Sequence, residues 1–190
     1  MGKKKVIVVT DGDDSACEAV STATEKIGGE CVLASAGNPT WLTGEEIVGL
    51  IKKTEKEPVV VMVDDKGHKG VGKGEAAMDT ILHDQSIDVL GIVAVSSNGK
   101  DINGTNVISS VDKYGEVVDC AVDKHGNDMK GKNISGDTLS ILKYINDIPI
   151  IGMGDPGKMD FNDDVSKGSP ITTRALEEIL RINGQYGDSE

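Results

Sequence analysis

Aromatic side chains are scarce in this sequence, which has one Phe, one Trp and three Tyr among its 190 residues. A chain of this length can bury a sizeable core. Because so few aromatic rings are available, that core must be mainly aliphatic, as in the run VVVMV at residues 59–63. The length is typical of one domain, and no Pro-rich or Gly/Ser-rich linker divides the chain. We therefore predict a single domain over residues 1–190.

Long hydrophobic runs are also missing. No segment approaches the roughly 20 apolar residues that a membrane-spanning helix needs. The first apolar run follows three lysines but ends at Thr10, where it meets aspartates, and this is not the pattern of a secretory signal peptide. We therefore expect a soluble chain that associates with a membrane only through a partner and does not insert into it directly.

Positive charge is in short supply, and cysteines are few. Lys and Arg together number 20 against 32 Asp and Glu, which gives a formal net charge of −12. Nucleic-acid binding depends on Lys and Arg that neutralise phosphates, so this charge argues against a nucleic-acid partner and against adsorption to an anionic membrane. The three cysteines are far apart and form no C-x-x-C pair. They match neither a disulfide framework nor a zinc site, and they favour a reducing compartment.

Apolar strand-like segments alternate with helical ones along most of the chain. The predicted strands are residues 5–10, 30–34, 58–63, 87–95 and 148–153, and the predicted helices are residues 15–27, 43–55, 73–83, 135–146 and a last helix opened by Ser169-Pro170. Ser15 is the predicted N-cap of the first helix, and Thr43 with Glu46 forms a predicted capping box before the second. Residues 97–133 are rich in Gly, Asn and Asp and break the alternation, which predicts an inserted hairpin or flap.

Strands that are apolar throughout are typical of a parallel sheet covered by helices on both faces. We predict a three-layer, doubly wound α/β domain of the Rossmann or flavodoxin type with a five-stranded, mainly parallel sheet. The first and third strands are expected to be neighbours in its centre. In such folds the ligand crevice lies outside the carboxyl ends of the strands, so the loops after them are the first place to look for a site.

Aspartates are concentrated at two of these strand ends. Asp11 and Asp13 flank a glycine after the first strand, and Asp64 and Asp65 end the third. Carboxylate oxygens are the ligands that Ca²⁺ and Mg²⁺ prefer, so these four residues are candidate ligands for one of those cations. Aspartates at a helix N-terminus also act as caps without any ligand, and the sequence leaves both roles open for Asp13 and Asp14.

A glycine-rich, basic segment precedes the third helix. Gly72, Lys73 and Gly74 place backbone N–H groups and a lysine where an anion could bind, and Ser96 and Ser97 at the fourth strand end are further candidate ligand-binding residues. The segment matches neither the Walker spacing nor G-x-G-x-x-G, and a lid without a ligand is an equal alternative. A basic loop beside acidic strand ends would suit an anion together with its counter-cation.

The run VIVVTDGD at residues 6–13 resembles the first motif of phosphatases of the haloacid dehalogenase class. That resemblance would make Asp11 the nucleophile and Asp13 the general acid. Ser96 or Ser97 would hold the phosphoryl group, and Asp155 with Asp160 would bind magnesium. Three departures count against it: a helix follows too soon for the flap of that class, no lysine is clearly placed between the serine and the last motif, and Asp64-Asp65 has no role.

At whole-chain level the sequence resembles the stage V sporulation protein AE family, the small soluble members of the SpoVA group of spore-forming bacteria. The similarity is carried by the blocks VIVVTDGD, SAGNPT, VDD with GKGE, and VLGIVAVSSN, at residues 6–13, 35–40, 63–65 with 72–75, and 89–98. The family has no established catalytic residues that could be transferred to this sequence.

The resemblance implies a role in moving dipicolinic acid, with calcium, across the spore inner membrane during sporulation and germination. Several members of the SpoVA group are integral membrane proteins, so these would be the partners that hold the chain peripherally at that membrane. We therefore predict a non-enzymatic accessory protein. The alternatives are a magnesium-dependent phosphohydrolase that uses Asp11 and Asp13, and a small-ligand sensor.

Overall fold

The structure, a computed structural model, describes residues 2–68, 71–97, 104–136 and 138–185. In these ranges the chain forms nine β-strands and four α-helices. The strands are β1 (Lys4–Val9), β2 (Glu30–Cys31), β3 (Val59–Met62), β4 (Ile87–Val95), β5 (Thr105–Asn106), β6 (Ser109–Val111), β7 (Val117–Val118), β8 (Asn133–Ile134) and β9 (Ile150–Met153). The helices are α1 (Asp14–Lys26), α2 (Gly44–Ile51), α3 (Lys73–His83) and α4 (Pro170–Ile182).

Seven of the strands form one mainly parallel sheet in the order β2-β3-β1-β4-β9-β6-β7. Every neighbouring pair is parallel except β6 and β7. Strand β1 lies between β3 and β4, with Val6 opposite Val59 on one side and Val89 on the other. The prediction that the first and third strands are central neighbours is therefore confirmed. The predicted number of strands, five, is wrong because β6 and β7 extend the sheet.

Both faces of the central strands are buried, which explains why these segments are apolar without alternation. The side chains of Val6 and Val8 belong to one core cluster, which contains the inner faces of α2 and α3. Those of Ile7 and Val9 belong to a second cluster, which contains the inner faces of α1 and α4. The sheet is thus the middle layer between two pairs of helices.

The order of the strands differs from the order of the named α/β folds. Numbered along the chain, the five predicted strands lie in the order 2-3-1-4-5. The usual orders are 3-2-1-4-5-6 for Rossmann folds and 2-1-3-4-5 for flavodoxin-like ones. The structure is therefore a mixed α/β fold, and the predicted Rossmann or flavodoxin type is not confirmed. For function, the important consequence is that the end of β1 is flanked directly by the ends of β3 and β4.

The predicted hairpin or flap around residues 97–133 includes a hairpin that joins the main sheet. Strand β6 pairs in parallel with β9, and β7 pairs antiparallel with β6. A second, two-stranded sheet forms between β5 and β8, with Thr105 opposite Ile134. Residues 98–103 lie outside the described part of the chain. The described part of the insertion is thus packed against the domain through paired strands.

Two helix predictions differ from the structure. The segment predicted as a helix over residues 135–146 has, in its described residues 135–136 and 138–146, only a short 3₁₀ helix, Ser140–Tyr144. The chain leaves β8 at Ile134, and a Cβ atom on Gly136 would lie 2.7 Å from the carbonyl oxygen of Val95, so this part of the chain runs close against the end of β4. The second helix was predicted to reach residue 55, but α2 ends at Ile51. The N–H groups of Glu55 and Lys56 donate to the Glu30 carboxylate instead of to helix carbonyls.

The remaining helices agree closely with expectation. The capping box of Thr43 and Glu46 is present at α2, α3 spans the predicted residues 73–83, and α4 begins at Pro170. All three cysteines are free and half-buried. Within the described ranges, no helix combines the length and apolar character that crossing a membrane requires.

Candidate functional site

A cavity of about 220 Å³ lies at the carboxyl edge of the sheet, beyond the ends of β1, β3, β4 and β9. Carboxylates and ammonium groups both line it, together with hydroxyl and amide groups. The lining residues are Thr10, Asp11, Asp13, Asn38, Asp64, Val95, Ser97, Lys124, Asp155 and Lys158. This is the edge at which the sequence predicted a site.

Close backbone packing holds the loop after β1 against the end of β3, and Asp11 and Asp64 from these two places line the same cavity. A Cβ atom on Gly12 would lie 2.7 Å from the carbonyl oxygen of Gly37 and 3.4 Å from Cβ of Asp64. The Gly37 N–H also donates to the Gly12 carbonyl at 2.8 Å. Only glycine allows this approach at residue 12, so the loop after β1 can lie directly against the end of β3.

Asp13 has both of the roles that the sequence left open, as a cap and as a member of the site. Its carboxylate accepts a hydrogen bond from the Ala16 N–H at 2.8 Å and is therefore the N-cap of α1, a role predicted for Ser15. The other oxygen of the same carboxylate lies 2.9 Å from Nζ of Lys158. Burial alone would raise the pKa of Asp13, but these two hydrogen bonds lower it. Asp14 is exposed in the first turn of α1 and does not line the cavity.

Two lysines that the sequence analysis did not single out bring positive charge into the cavity. Lys158 Nζ contacts Asp13 and lies 4.0 Å from the Asp155 carboxylate. Lys124 lies in a turn, and its own backbone carbonyl accepts a hydrogen bond from the Asp155 N–H at 2.9 Å. Burial raises the pKa of Asp155, although the charges of Lys158 and Lys124 act in the opposite direction. The turn can approach β9 because residue 154 is glycine, whose Cβ would otherwise lie 2.6 Å from the Lys124 carbonyl.

Asp11 is the most strongly perturbed carboxyl group of the cavity. Burial, together with the negative charges of Asp13, Asp64 and Asp155, raises its pKa to about 7, although the Asp13 N–H donates to it at 3.2 Å. A carboxyl group of this kind is half protonated near neutral pH. Carboxyl groups whose pKa is strongly shifted by burial and by neighbouring charges concentrate at functional sites, because binding and catalysis need groups that can gain or lose a proton near the working pH.

Asp65 does not line the cavity and serves the fold instead. Its side chain is 3% exposed, and its carboxylate accepts hydrogen bonds from the N–H groups of Gly74 at 2.7 Å and Glu75 at 3.2 Å. Burial raises the pKa of Asp65 to about 6 in spite of these bonds. The carboxylate therefore occupies the N-terminus of α3, where an external anion would otherwise bind.

Of the candidate residues in the glycine-rich segment and the two serines, Ser97 lines the cavity and the others do not. A Cβ atom on Gly72 would lie 2.1 Å from the Asp65 carboxylate, which also accepts the Gly74 N–H, and none of Gly72, Lys73 and Gly74 lines the cavity. Residues 69–70 of the same segment lie outside the described ranges. Ser96 is buried, whereas Ser97 lines the cavity and its N–H donates to the Ser135 carbonyl.

A metal centre is not preformed in the described part of the chain. There, no group of three or more His, Cys, Asp and Glu side chains is arranged to hold a metal ion. The charge of Asp64 contributes to the raised pKa of Asp11, and both residues line the cavity, where the Asp64 carboxylate also accepts the Lys66 N–H at 2.8 Å. Asp160 does not line the cavity, and its carboxylate lies 3.9 Å from the His125 ring. The calcium or magnesium site stays a prediction, one that would need ligands besides these carboxylates.

Comparison with known proteins gives one family match. The family model described as SpoVAE, stage V sporulation protein AE1, matches residues 5–183. No curated protein and no solved structure matches the chain. The resemblance predicted from the four sequence blocks is therefore confirmed at the level of the family.

Replacing Asp11 with Asn should stabilise the protein at pH 8 without divalent cations. The pKa of Asp11 is about 7 in the folded chain against 3.8 for the ordinary group, so the folded state binds the proton more tightly. Its contribution to stability therefore falls as the pH rises from about 4 to about 7. We expect Asp11→Asn to gain on the order of 2 kcal/mol at pH 8 and about half of that at pH 5.5, measured by urea unfolding.

The exposed Asp88 lies near the amino end of β4, at the opposite edge of the sheet, and Asp88→Asn serves as the control for the loss of one negative charge. An Asp11→Asn variant that is less stable than the wild type at pH 8, or that shows the same difference at both pH values, would contradict the argument.

Divalent cations should raise the melting temperature slightly. A cation that binds only the folded chain stabilises it by RT ln(1 + [L]/Kd), and two carboxylates without further protein ligands give weak binding. We expect a small rise with millimolar Ca²⁺ or Mg²⁺ that shrinks in Asp64→Asn but not in Asp88→Asn. Equal shifts in all three proteins would mean that the cations only screen the net charge of −12.

Proposed function

The chain belongs to the stage V sporulation protein AE1 family, and from this membership we propose that it is an accessory protein of the SpoVA system. Family membership implies a role in sporulation. The proposal goes further: the protein supports the movement of dipicolinic acid, as calcium dipicolinate, across the spore inner membrane during sporulation and germination. The match over residues 5–183 is the observation that carries this proposal.

The proposed location is peripheral, at the spore inner membrane, through contacts with integral membrane members of the same group. Two observations support it. The described part of the chain has no helix suited to span a membrane. In addition, the net charge of −12 opposes direct adsorption to anionic lipid, so attachment would depend on protein partners.

A phosphohydrolase is the second candidate function, and the composition of the cavity favours it. Asp11, Asp13, Ser97 and Asp155 line the same cavity, which is the arrangement that the haloacid dehalogenase resemblance implies. The lysine that the sequence did not place is also there, because Lys124 follows Ser97 and precedes Asp155 along the chain.

Three features argue against hydrolysis. Helix α1 begins at Asp14, directly after the first motif, and leaves no room for a flap. The carboxylate of Asp13 is held by the Ala16 N–H and by Lys158, so it is not available to protonate a leaving group. Asp160 does not line the cavity. The accessory role therefore remains the preferred function, and the family is a sporulation family and not an established enzyme family.

Deletion of the gene in a spore former that encodes this chain should impair dipicolinate movement. We expect mature spores with less dipicolinic acid, or slower release of dipicolinic acid on germination, as measured by lanthanide fluorescence. Complementation with the wild-type gene should restore both values. Content and release that are both unchanged after deletion would contradict the proposed function.

The purified chain should show no turnover of generic phosphoesters in the presence of Mg²⁺. The missing flap and the occupied Asp13 carboxylate are the reasons for this expectation. A measurable rate that disappears in Asp11→Asn would reverse the ranking of the two functions, because that substitution removes the proposed nucleophile while it keeps the shape of the side chain.

A further inference from the structure

The cavity at the carboxyl edge contains charges of both signs that do not fully compensate one another. Asp13 and Lys158 form a direct ion pair at 2.9 Å. Lys124 is half-buried at the cavity wall, and within the described ranges its ammonium group makes no hydrogen bond or ion pair. Asp11 and Asp64 line the same cavity, and the Asp64 carboxylate also accepts the Lys66 N–H at 2.8 Å. The cavity therefore presents groups that suit a positive ligand and groups that suit a negative one.

A cation alone would be poorly held. Ca²⁺ takes six to eight oxygen ligands, and Mg²⁺ is commonly bound by one or two carboxylates, several waters and the oxygens of a phosphate. The described residues offer no group of three or more acidic, histidine or cysteine side chains that could complete such a shell. The two carboxylates of Asp11 and Asp64 would therefore need oxygens from a second ligand.

An oxyanion alone would also be poorly held, although donors for it are present. Four aspartates line the cavity against two lysines, so the local charge repels an anion that brings no cation. The donors are the ammonium groups of Lys124 and Lys158 and the hydroxyl of Thr10. Thr10 is 4% exposed and accepts the Val95 N–H at 2.9 Å, and in the described part of the chain its own hydrogen has no acceptor.

We propose that this cavity binds a divalent cation and a compact oxyanion together, as a pair. The cation lies at Asp11 and Asp64, and the oxyanion bridges from the cation to Lys124, Lys158 and the hydroxyl of Thr10. Each partner supplies what the other lacks, because the oxyanion completes the oxygen shell of the cation and the cation cancels the repulsion from the carboxylates. The inference goes beyond the function proposed above, since only the residues that line the cavity carry it.

The size of the cavity limits the oxyanion to a small one. A volume of about 220 Å³ is below the roughly 300–1,000 Å³ of pockets that hold drug-sized ligands. A phosphate or a small dicarboxylate fits this range, and a nucleotide does not. Phosphate and carboxylate present the same chemistry to a cation and two lysines, so the experiment has to distinguish them.

Calorimetric titration of the full chain tests the pair directly. Mg²⁺ with inorganic phosphate is one arm, and Ca²⁺ with dipicolinate is the other, with each component titrated alone and in the presence of its partner. We expect the affinity for the cation to rise about tenfold or more when the matching oxyanion is present, and the affinity for the oxyanion to rise by the same factor. If coupling is seen in one of the two arms and not in the other, that arm identifies which oxyanion the cavity binds.

Lys124→Gln is the decisive variant, because within the described residues the ammonium group of Lys124 makes no hydrogen bond or ion pair and acts on Asp155 only through its charge. We expect it to abolish most of the coupling, whereas Lys53→Gln, on the exposed surface at the end of α2, leaves the coupling unchanged. Asp64→Asn should weaken the cation step, with Asp88→Asn as its control. Complexes formed in solution affect all variants equally and so cannot produce this difference.

Absence of coupling in both arms, or equal coupling in the wild type and in Lys124→Gln, would overturn the inference. The proposed function fails separately. Normal dipicolinate content and release after gene deletion would overturn the accessory role and leave a coupled site in place. A defect in the deletion strain without coupling in the purified chain would do the reverse.

Discussion

The parallel pairing of β1 with both β3 and β4 is the interaction on which the rest of the structure depends. It places the four residues Val6–Val9 at zero exposure between two helix layers and brings Asp11 beside the end of β3. Each fully buried aliphatic side chain contributes on the order of 2 kcal/mol. Four of them outweigh the destabilisation on the order of 2 kcal/mol expected from the charged carboxylate of Asp11. Hydrophobic burial can therefore hold a like-charged edge in place without a bound ion.

Two carboxylates at the same edge of the sheet, the buried Asp65 and the half-buried Asp11, differ in how far the protein itself satisfies them. Asp65 is satisfied internally, because backbone N–H groups at the start of α3 donate to it. Asp11 has one such hydrogen bond and three negative neighbours, which leaves it at a pKa of about 7. The two adjacent residues at the end of β3 therefore have different roles. The Asp65 carboxylate accepts the N–H groups at the start of α3 that an external anion would use, and Asp64 lines the cavity with Asp11.

The elements that could be predicted from the sequence are those determined by local pattern. The apolar runs located β1, β3, β4 and β9, the capping box located α2, and the strand-end aspartates pointed to the edge of the sheet at which the cavity lies. Long-range contacts determined the rest. Nothing local to Lys124 or Lys158 shows that they meet Asp155 and Asp13, and nothing near Asp65 shows that it turns toward α3. The helix expected over residues 135–146 was wrong, and the packing of Gly136 against the carbonyl of Val95 in this segment is a contact that periodicity cannot reveal.

The two borders of the seven-stranded sheet are unusually small. Strands β2 and β7, which lie at its ends, have two residues each. A strand from another molecule would find few unpaired N–H and C=O groups there, so edge-to-edge growth into aggregates has little template. A net charge of −12 adds repulsion between copies at longer range. The short edge strands and the net charge should therefore limit aggregation even where many copies are crowded into a confined volume.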